Sequence, residues 1–464
     1  MAQTAREDPA GDRGHEDDDS DRESLTAFLD RARVFLAGAP EVGRRSETTG
    51  LARSEAGDGE RVGDGDGGQR ASRPPLVWGE GSDEVNLLPE HSPEEDERIV
   101  AAARRFKAAE YAAGFGWIDG PTEYGGAGLP VSYLDAYLDL RGQYDVPDLA
   151  VFGLGLGMIS PTLLAHGSES AKRIYLPRLH AGEAIGCQLF SEPGAGSDLA
   201  SLRTRAVRDG DEWVITGQKV WTTNGHLSDV GEVLCRTSPE APKHRGITAF
   251  LVDMHAPGVE VRPLRQMTGG ASFNEVFLTE VRVPDENRLG AVDDGWRVAT
   301  TTLMNERSTA SDLGGSLAAI LDRLIMLARW SGRLADPVVR DRLSDTVMHV
   351  RLAGYATERA HLARTAGTPG PEHSVGKLVW TNNLRRISDL LTDILGPRLI
   401  ADTGEWGTFA WTTLVLGVPG IRVSAGTDEI MKNILAERVL GLPREPSPAR
   451  TTSAPGGNGK DGNV

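Results

Sequence analysis

Hydrophobic periodicity changes character twice along this chain, and those changes constrain the fold more than any single motif. Up to about residue 185 apolar side chains recur at helical spacing, as in Leu25, Phe28, Leu29, Ala32, Phe35 and Leu36. From Ile185 the period shortens. Residues 213–217 and 219–221 read as strands around a tight turn; 247–252, 259–261, 275–278 and 281–284 read as further short strands bounded by Gly, Pro and Asn. After Trp296 helical patterns return in 317–330, 336–365 and 375–395, and continue to about Leu442. Helices, then a compact block of short strands, then long helices describe an α+β chain with a β-barrel or sandwich in its middle.

At 464 residues the chain exceeds the size at which a single core stops growing. The periodicity suggests an acidic, disordered tail over 1–23 and an N-terminal helical domain over 24–184 with a flexible insertion at 38–82. A β domain over 185–290, a C-terminal helical domain over 291–445 and a disordered tail over 446–464 follow. The insertion is rich in Gly, Asp and Arg, but no strand precedes its glycines and no GK[ST] follows, so it is not read as a phosphate loop. Ser92, Pro93, Glu94 and Glu95 form a helix start: a cap, a preset φ and charges that suit the positive end of the dipole.

The formal charge of −17 argues against a nucleic-acid partner, since neutralising phosphates needs a basic face. Neither a signal pattern nor a membrane-spanning apolar run is apparent, so no membrane partner and a cytoplasmic location are expected. Two cysteines, Cys187 and Cys235, cannot build a disulfide framework and read as buried apolar residues. No metal site is expected.

Two polar clusters stand out in the strand block. One is Ser191-Glu192-Pro193-Gly194-Ala195-Gly196-Ser197-Asp198; the other is Trp221-Thr222-Thr223-Asn224-Gly225. Small side chains let a backbone approach a flat or anionic ligand, and Trp221 offers either an aromatic wall or core packing. Together the clusters resemble the flavin-binding signature of the acyl-CoA dehydrogenase family. Residues 117–129 resemble that family's WPxEYGGxGL segment, with Gly120 at the position before Pro that is usually held by Trp or another residue. The resemblance spans roughly 85–445. It implies an acyl-CoA dehydrogenase-like fold: an N-terminal helical domain, a middle β-barrel domain and a C-terminal helical bundle.

The resemblance also implies FAD as cofactor. It assigns backbone contacts with the flavin to Gln188, Phe190 and Ser191, with the Ser191 hydroxyl near N5 or O4. Trp221 would pack against the isoalloxazine, Thr223 would bond near N5, and Thr427 and Glu429 would lie near the adenine end. Ser197 would contact the acyl or pantetheine chain. The family's Arg-x-x-Phe-Gly segment, which reaches a neighbouring subunit's FAD, is represented here by residues 328–332, where Ala328 and Ser331 replace Arg and Phe. Arg329 or Arg333 is left to substitute. The Gln-x-x-Gly-Gly region is altered to Asp393-Ile394-Leu395-Gly396-Pro397.

The reaction implied is α,β-dehydrogenation of an acyl-CoA or other acyl thioester, which needs a base for the α proton. The Glu of the common Tyr-Glu-Gly-Thr motif is matched by Ala425, at the substrate side of the site, and alanine takes no proton. A branch of the family places the base just before an Arg on the first C-terminal helix. Glu306 matches that base here, and Arg307 matches an Arg that contacts CoA. As an isolated dipeptide the two read as a surface pair; their place in the domain order favours the base. Met304 stands where the family often has Asp. The expected partners are an electron-transfer flavoprotein and further copies in a homodimer or homotetramer. The alternatives are a non-catalytic or half-site subunit of a mixed oligomer, or a flavin oxidase or monooxygenase on the same fold.

Overall fold

The computed structural model describes residues 23–44, 77–85, 87, 91–311, 314–365 and 372–444. Most of the acidic tail, residues 45–76 of the insertion and the whole 446–464 tail lie outside the described residues. The described chain packs as two units: residues 23–309 with 398–417, and residues 310–397 with 418–444.

The first unit begins with α1 (Leu25–Gly38), whose cap Ser24 accepts the Ala27 N–H at 3.3 Å. Phe28, Ala32 and Leu36 recur every four residues and are fully buried. The two-residue strand β1 (Gly43–Arg44) pairs antiparallel with β2 (Tyr144–Asp145). In α2 (Pro93–Ala112) Ser92 accepts the Glu95 N–H at 3.2 Å, as the start signal requires. Helices α3 (Val131–Arg141), α4 (Ser160–His166) and α5 (Glu169–His180) follow. Phe28, Phe106, Phe115, Ile118 and Tyr137 share one core. A Cβ on Gly120 would lie 2.1 Å from the Trp117 ring, so glycine here makes room for that indole. Trp117 stacks on His180 at 3.9 Å.

The central sheet has eight strands: β3 (Gly186–Leu189), β4 (Arg205–Asp209), β5 (Glu212–Thr223), β6 (Val230–Arg236), β7 (Ile247–Asp253), β8 (Val259–Leu264), β9 (Phe273–Pro284) and β10 (Arg288–Leu289). Their order is β10-β7-β6-β4-β5-β9-β8, with β3 joined in parallel to β6. One face covers a core that includes Leu189, Trp213, Val233, Phe250 and Val276; the other, through Leu234 and Leu251, shares a cluster with Phe190 and with Val298 of the helix that follows the sheet.

Two strand expectations change. The turn expected near Gln218 is absent, because β5 runs unbroken from Glu212 to Thr223. Its Gly217 passes so close to Thr204 that a Cβ would meet Oγ1 at 2.3 Å, and its polar Lys219 points into the core. Likewise 275–278 and 281–284 form a single strand, β9, with a left-handed residue, Glu280 (φ 53°), at the irregularity.

Helix α6 (Gly295–Ser311) starts within the first unit. The second unit contains α7 (Gly314–Trp330), α8 (Pro337–Thr365), α9 (Glu372–Leu395), the end of α10 (Trp411–Val423) and α11 (Asp428–Ile434). Leu317, Leu324, Leu384, Ile387 and Leu391 are buried there. Among the described residues no helix is long and apolar enough to cross a membrane.

Candidate active site

The two polar clusters meet because β5 is irregular. Its register with β9 shifts between Lys219 and Thr222, and the Val220 N–H bonds instead to the Ser191 carbonyl at 2.9 Å. A bulge of this kind leaves residues unpaired and re-aims a side chain. Trp221 takes φ 63° there and is 60% exposed, with Phe273 edge-on at 6.1 Å. It is therefore not a core residue. Gln188, Ser191 and Thr223 are half-buried, Ser197 is exposed and the Phe190 ring is buried.

A buried ion pair fastens the first cluster to β5. Lys219, with no exposed surface, donates to Glu192 Oε1 at 2.9 Å, to the Phe190 carbonyl at 3.1 Å and to the Leu234 carbonyl at 2.8 Å. Glu192 also accepts the backbone N–H groups of Arg203 at 2.6 Å and Thr204 at 2.8 Å. Burial pushes the Glu192 carboxyl up, but Lys219 and these donors outweigh it and hold the group below the usual carboxylate range. Sequence reasoning missed this pair. The available signal was phase: Lys219 keeps the inward alternation of Trp213 and Ile215.

Glu306 is half-buried on α6. Leu303, one turn before Arg307, packs on the apolar cluster that also contains Phe190, Ala195 and Leu199. Met304 is 61% exposed. The Arg307 side chain lies outside the described residues. His166 Nε2 lies 2.8 Å from Thr301 Oγ1, and His180 is buried with Nε2 2.8 Å from Ser160 Oγ. Burial drives His180 down to about 3, so it stays neutral.

In the second unit Ala425 has φ 53° in a loop whose next elements are Gly426 and the cap Thr427. The Thr427 hydroxyl accepts the Ile430 N–H at 3.2 Å; Glu429 is exposed in the first turn of α11. Asp428, unforeseen from sequence, is buried and accepts from Lys377 at 3.1 Å, Thr381 at 2.8 Å and Arg422 at 2.8 Å. It thereby ties α9, α10 and α11 around the loop. Burial opposes its ionisation, but Arg422, Thr381 and Lys377 prevail and lower its pKa. The stability it adds is present above the usual aspartate range and is lost as pH falls through its depressed pKa. Asp428→Ala is expected to destabilise the fold by about 3–5 kcal/mol, by stranding the buried Lys377 ammonium; denaturant unfolding measures this. Ala328 is buried and Ser331 caps back onto its carbonyl at 3.3 Å. Arg333 bonds the Asp393 carbonyl at 3.0 Å, whereas Arg329 is exposed.

Three family profiles match this chain: acyl-CoA dehydrogenase N-terminal domain over residues 86–183, middle domain over 187–281 and C-terminal domain over 293–440. Among curated proteins it is 40% identical to the acyl-CoA dehydrogenase IpdE1 of Mycobacterium tuberculosis, over 72% of this chain and 86% of that one. It is also 40% identical to FadE34 of the same organism, over 70% of this chain and 44% of that longer one. Among solved structures, the Tcur3481-Tcur3483 steroid ACAD aligns with a TM-score of 0.65 at 29% identity, over 76% of this chain and 94% of that one. The ChsE4-ChsE5 complex of M. tuberculosis aligns with a TM-score of 0.62 at 30% identity, over 76% and 94%.

Proposed function

The chain belongs to the acyl-CoA dehydrogenase family of FAD-dependent oxidoreductases, and from that premise we propose that it converts an acyl-CoA to its trans-2-enoyl product with Glu306 as base. The observation that carries this reading is a half-buried carboxylate on the helix whose Leu303 packs on the cluster containing Phe190 and Ala195, in a chain whose other family position for a base is Ala425.

The residues present fit a flavin. An exposed indole held outward by a bulge, beside the half-buried hydroxyls of Ser191 and Thr223, offers a flat wall and short-range polar contacts. The Phe190 and Ser191 carbonyls accept from Lys219 and Val220, which fixes the backbone that carries the Ser191 hydroxyl. FAD, when bound, supplies the acceptor for the β hydrogen and its electron pair. Glu306 takes the α proton as the Cα–Cβ double bond forms. Its partial burial matters because a fully hydrated carboxylate is too weak a base for a thioester α proton. By the family resemblance, Gln188 in the first unit and Arg329, Thr427 and Glu429 in the second are further proposed cofactor contacts, and Ser197, Arg307 and Ala425 proposed substrate positions. Trp221→Ala is expected to weaken FAD binding about tenfold, or about 1.4 kcal/mol. Because Trp221 is mostly exposed, the melting temperature of the flavin-free protein should hold.

On this reading the enzyme works in the cytoplasm as a homodimer or homotetramer, with domain boundaries near 185 and 291, and an electron-transfer flavoprotein reoxidises it. Its substrate is a bulky, ring-bearing acyl-CoA, a reading supported by the likeness to a steroid ACAD. Anaerobic bleaching of the flavin by straight-chain, branched and steroid side-chain acyl-CoAs tests this; bleaching by straight chains alone would sink it.

A second reading, a half-site subunit, is favoured by Ala328, Ser331 and Pro397 at positions where the family reaches a neighbouring subunit's FAD. The likeness to a complex described by two chain names supports it. Flavin bound only after mixing with a paralogous chain is the expected result; stoichiometric FAD in the chain alone rules it out.

A further inference from the structure

Glu232 is a carboxyl in an apolar place. It sits mid-strand in β6 with no exposed surface. Its neighbours in phase on β6, Val230 and Leu234, and its cross-strand partner Leu251 all belong to the apolar cluster between sheet and helices. Its register partner on β3 is Gln188. Glu232 Oε1 accepts from the Thr302 hydroxyl on α6 at 2.8 Å, and Thr302 Oγ1 lies 3.1 Å from Thr162 Oγ1 on α4. Glu232 Oε2 is buried and has no hydrogen-bond partner. A polar group in such a position costs stability, so its placement calls for a reason beyond packing.

Thr302 supplies one. It lies four residues before Glu306, so the two share a face of α6 one turn apart. We propose that Glu232 is a positioning residue: its neutral carboxyl, held through Thr302, fixes the turn of α6 that presents Glu306. This rests on Glu306 being the base.

The same placement makes the anchor sensitive to alkali. Burial pushes the Glu232 carboxyl up to about 8, with the Thr302 hydroxyl pulling modestly the other way. Among the described residues no charged group enters the balance at Glu232. On the elements packed against it, the titratable groups among the described side chains are Cys187 on the opposite face of β3, Asp253 at the end of β7, His166 at the end of α4, and Arg297 and Glu306 on α6. None of these contributes to the Glu232 shift, which arises from burial and Thr302. Above about pH 8 the carboxyl ionises inside an apolar cluster; the Thr302 hydroxyl still bonds the charged form, but burial outweighs it, so ionisation favours a local opening that hydrates the charge and loosens the turn of α6.

Two variants of the FAD-loaded protein test this. Glu232→Gln keeps the volume and the acceptor for Thr302 but cannot ionise. It should show wild-type kcat and KM at pH 7 and lack the fall in kcat expected of the wild type above pH 8. Glu232→Leu is apolar in an apolar cluster, so it folds, but it offers Thr302 no acceptor. It should keep its flavin and KM, lose about tenfold in kcat, and exchange the amide hydrogens of residues 299–306 faster. An unchanged alkaline limb in Glu232→Gln, or wild-type kcat in Glu232→Leu, overturns the proposal. If Glu306 is not the base, Glu306→Gln turns over normally. Amide exchange then still decides whether Glu232 holds α6, and unaltered exchange in Glu232→Leu overturns that part by itself.

Discussion

Glu306→Gln is expected to lower kcat by about 10²–10⁴-fold, the usual contribution of a positioned general base, while the purified protein stays yellow and binds substrate with little change in KM. The amide keeps the shape of the side chain and its half-buried setting on α6 but takes no proton. No second carboxylate stands at the other family position, since Ala425 occupies it, so no rescue from there is expected. Anaerobic mixing with acyl-CoA and measurement of flavin absorbance reads the result directly. Normal bleaching by the variant would show that the α proton leaves by another route.

Lys219→Met is expected to give the largest loss of stability among single changes near the site, about 3–5 kcal/mol. Methionine fills the space of the lysine stem but leaves Glu192 ionised, buried and short of its countercharge, and leaves the carbonyls of Phe190 and Leu234 without their donor. The loop that begins at Ser191 then loses its fastening to β5, so FAD content should fall together with the melting temperature. Adding Glu192→Gln should recover part of the loss, because the stranded charge is gone. Equal losses in the single and double variants would mean that the pair does not couple. The wild-type pair also has a pH signature. Glu192 is held below the usual glutamate range, so its contribution is present above that range and lost as pH falls through the depressed value.

The chain itself announced its architecture well where one physical signal dominated. The helix start at Ser92 was legible because a cap and its dependent N–H lie three residues apart, a purely local relation. The change to strands was legible from period alone. What failed were judgements that polar residues mark turns. Lys219 reads as the first residue of a strand after a tight turn, yet it lies mid-strand with its ammonium in the core, because Glu192, 27 residues away in sequence, supplies the compensating charge. Asp428 was passed over for the same reason: its partners Lys377 and Thr381 come from another helix, 51 and 47 residues distant. Glu232 belongs with them, matched by Thr302 across 70 residues.

The candidate site divides along the same line. Gly, Pro, Ser and Trp in two clusters carry the resemblance to a flavin-binding family, because loop chemistry and an aromatic plane are local properties. That Trp221 faces outward was open between wall and core until the β5 bulge and its φ of 63° settled its exposure. Sequence by itself determined the order of helices and strands and the two polar clusters, since each depends on residue type and near neighbours. Only the tertiary structure decided which charges are buried, what satisfies them and how β5 meets the Ser191 loop, because burial and pairing depend on residues brought together across long separations.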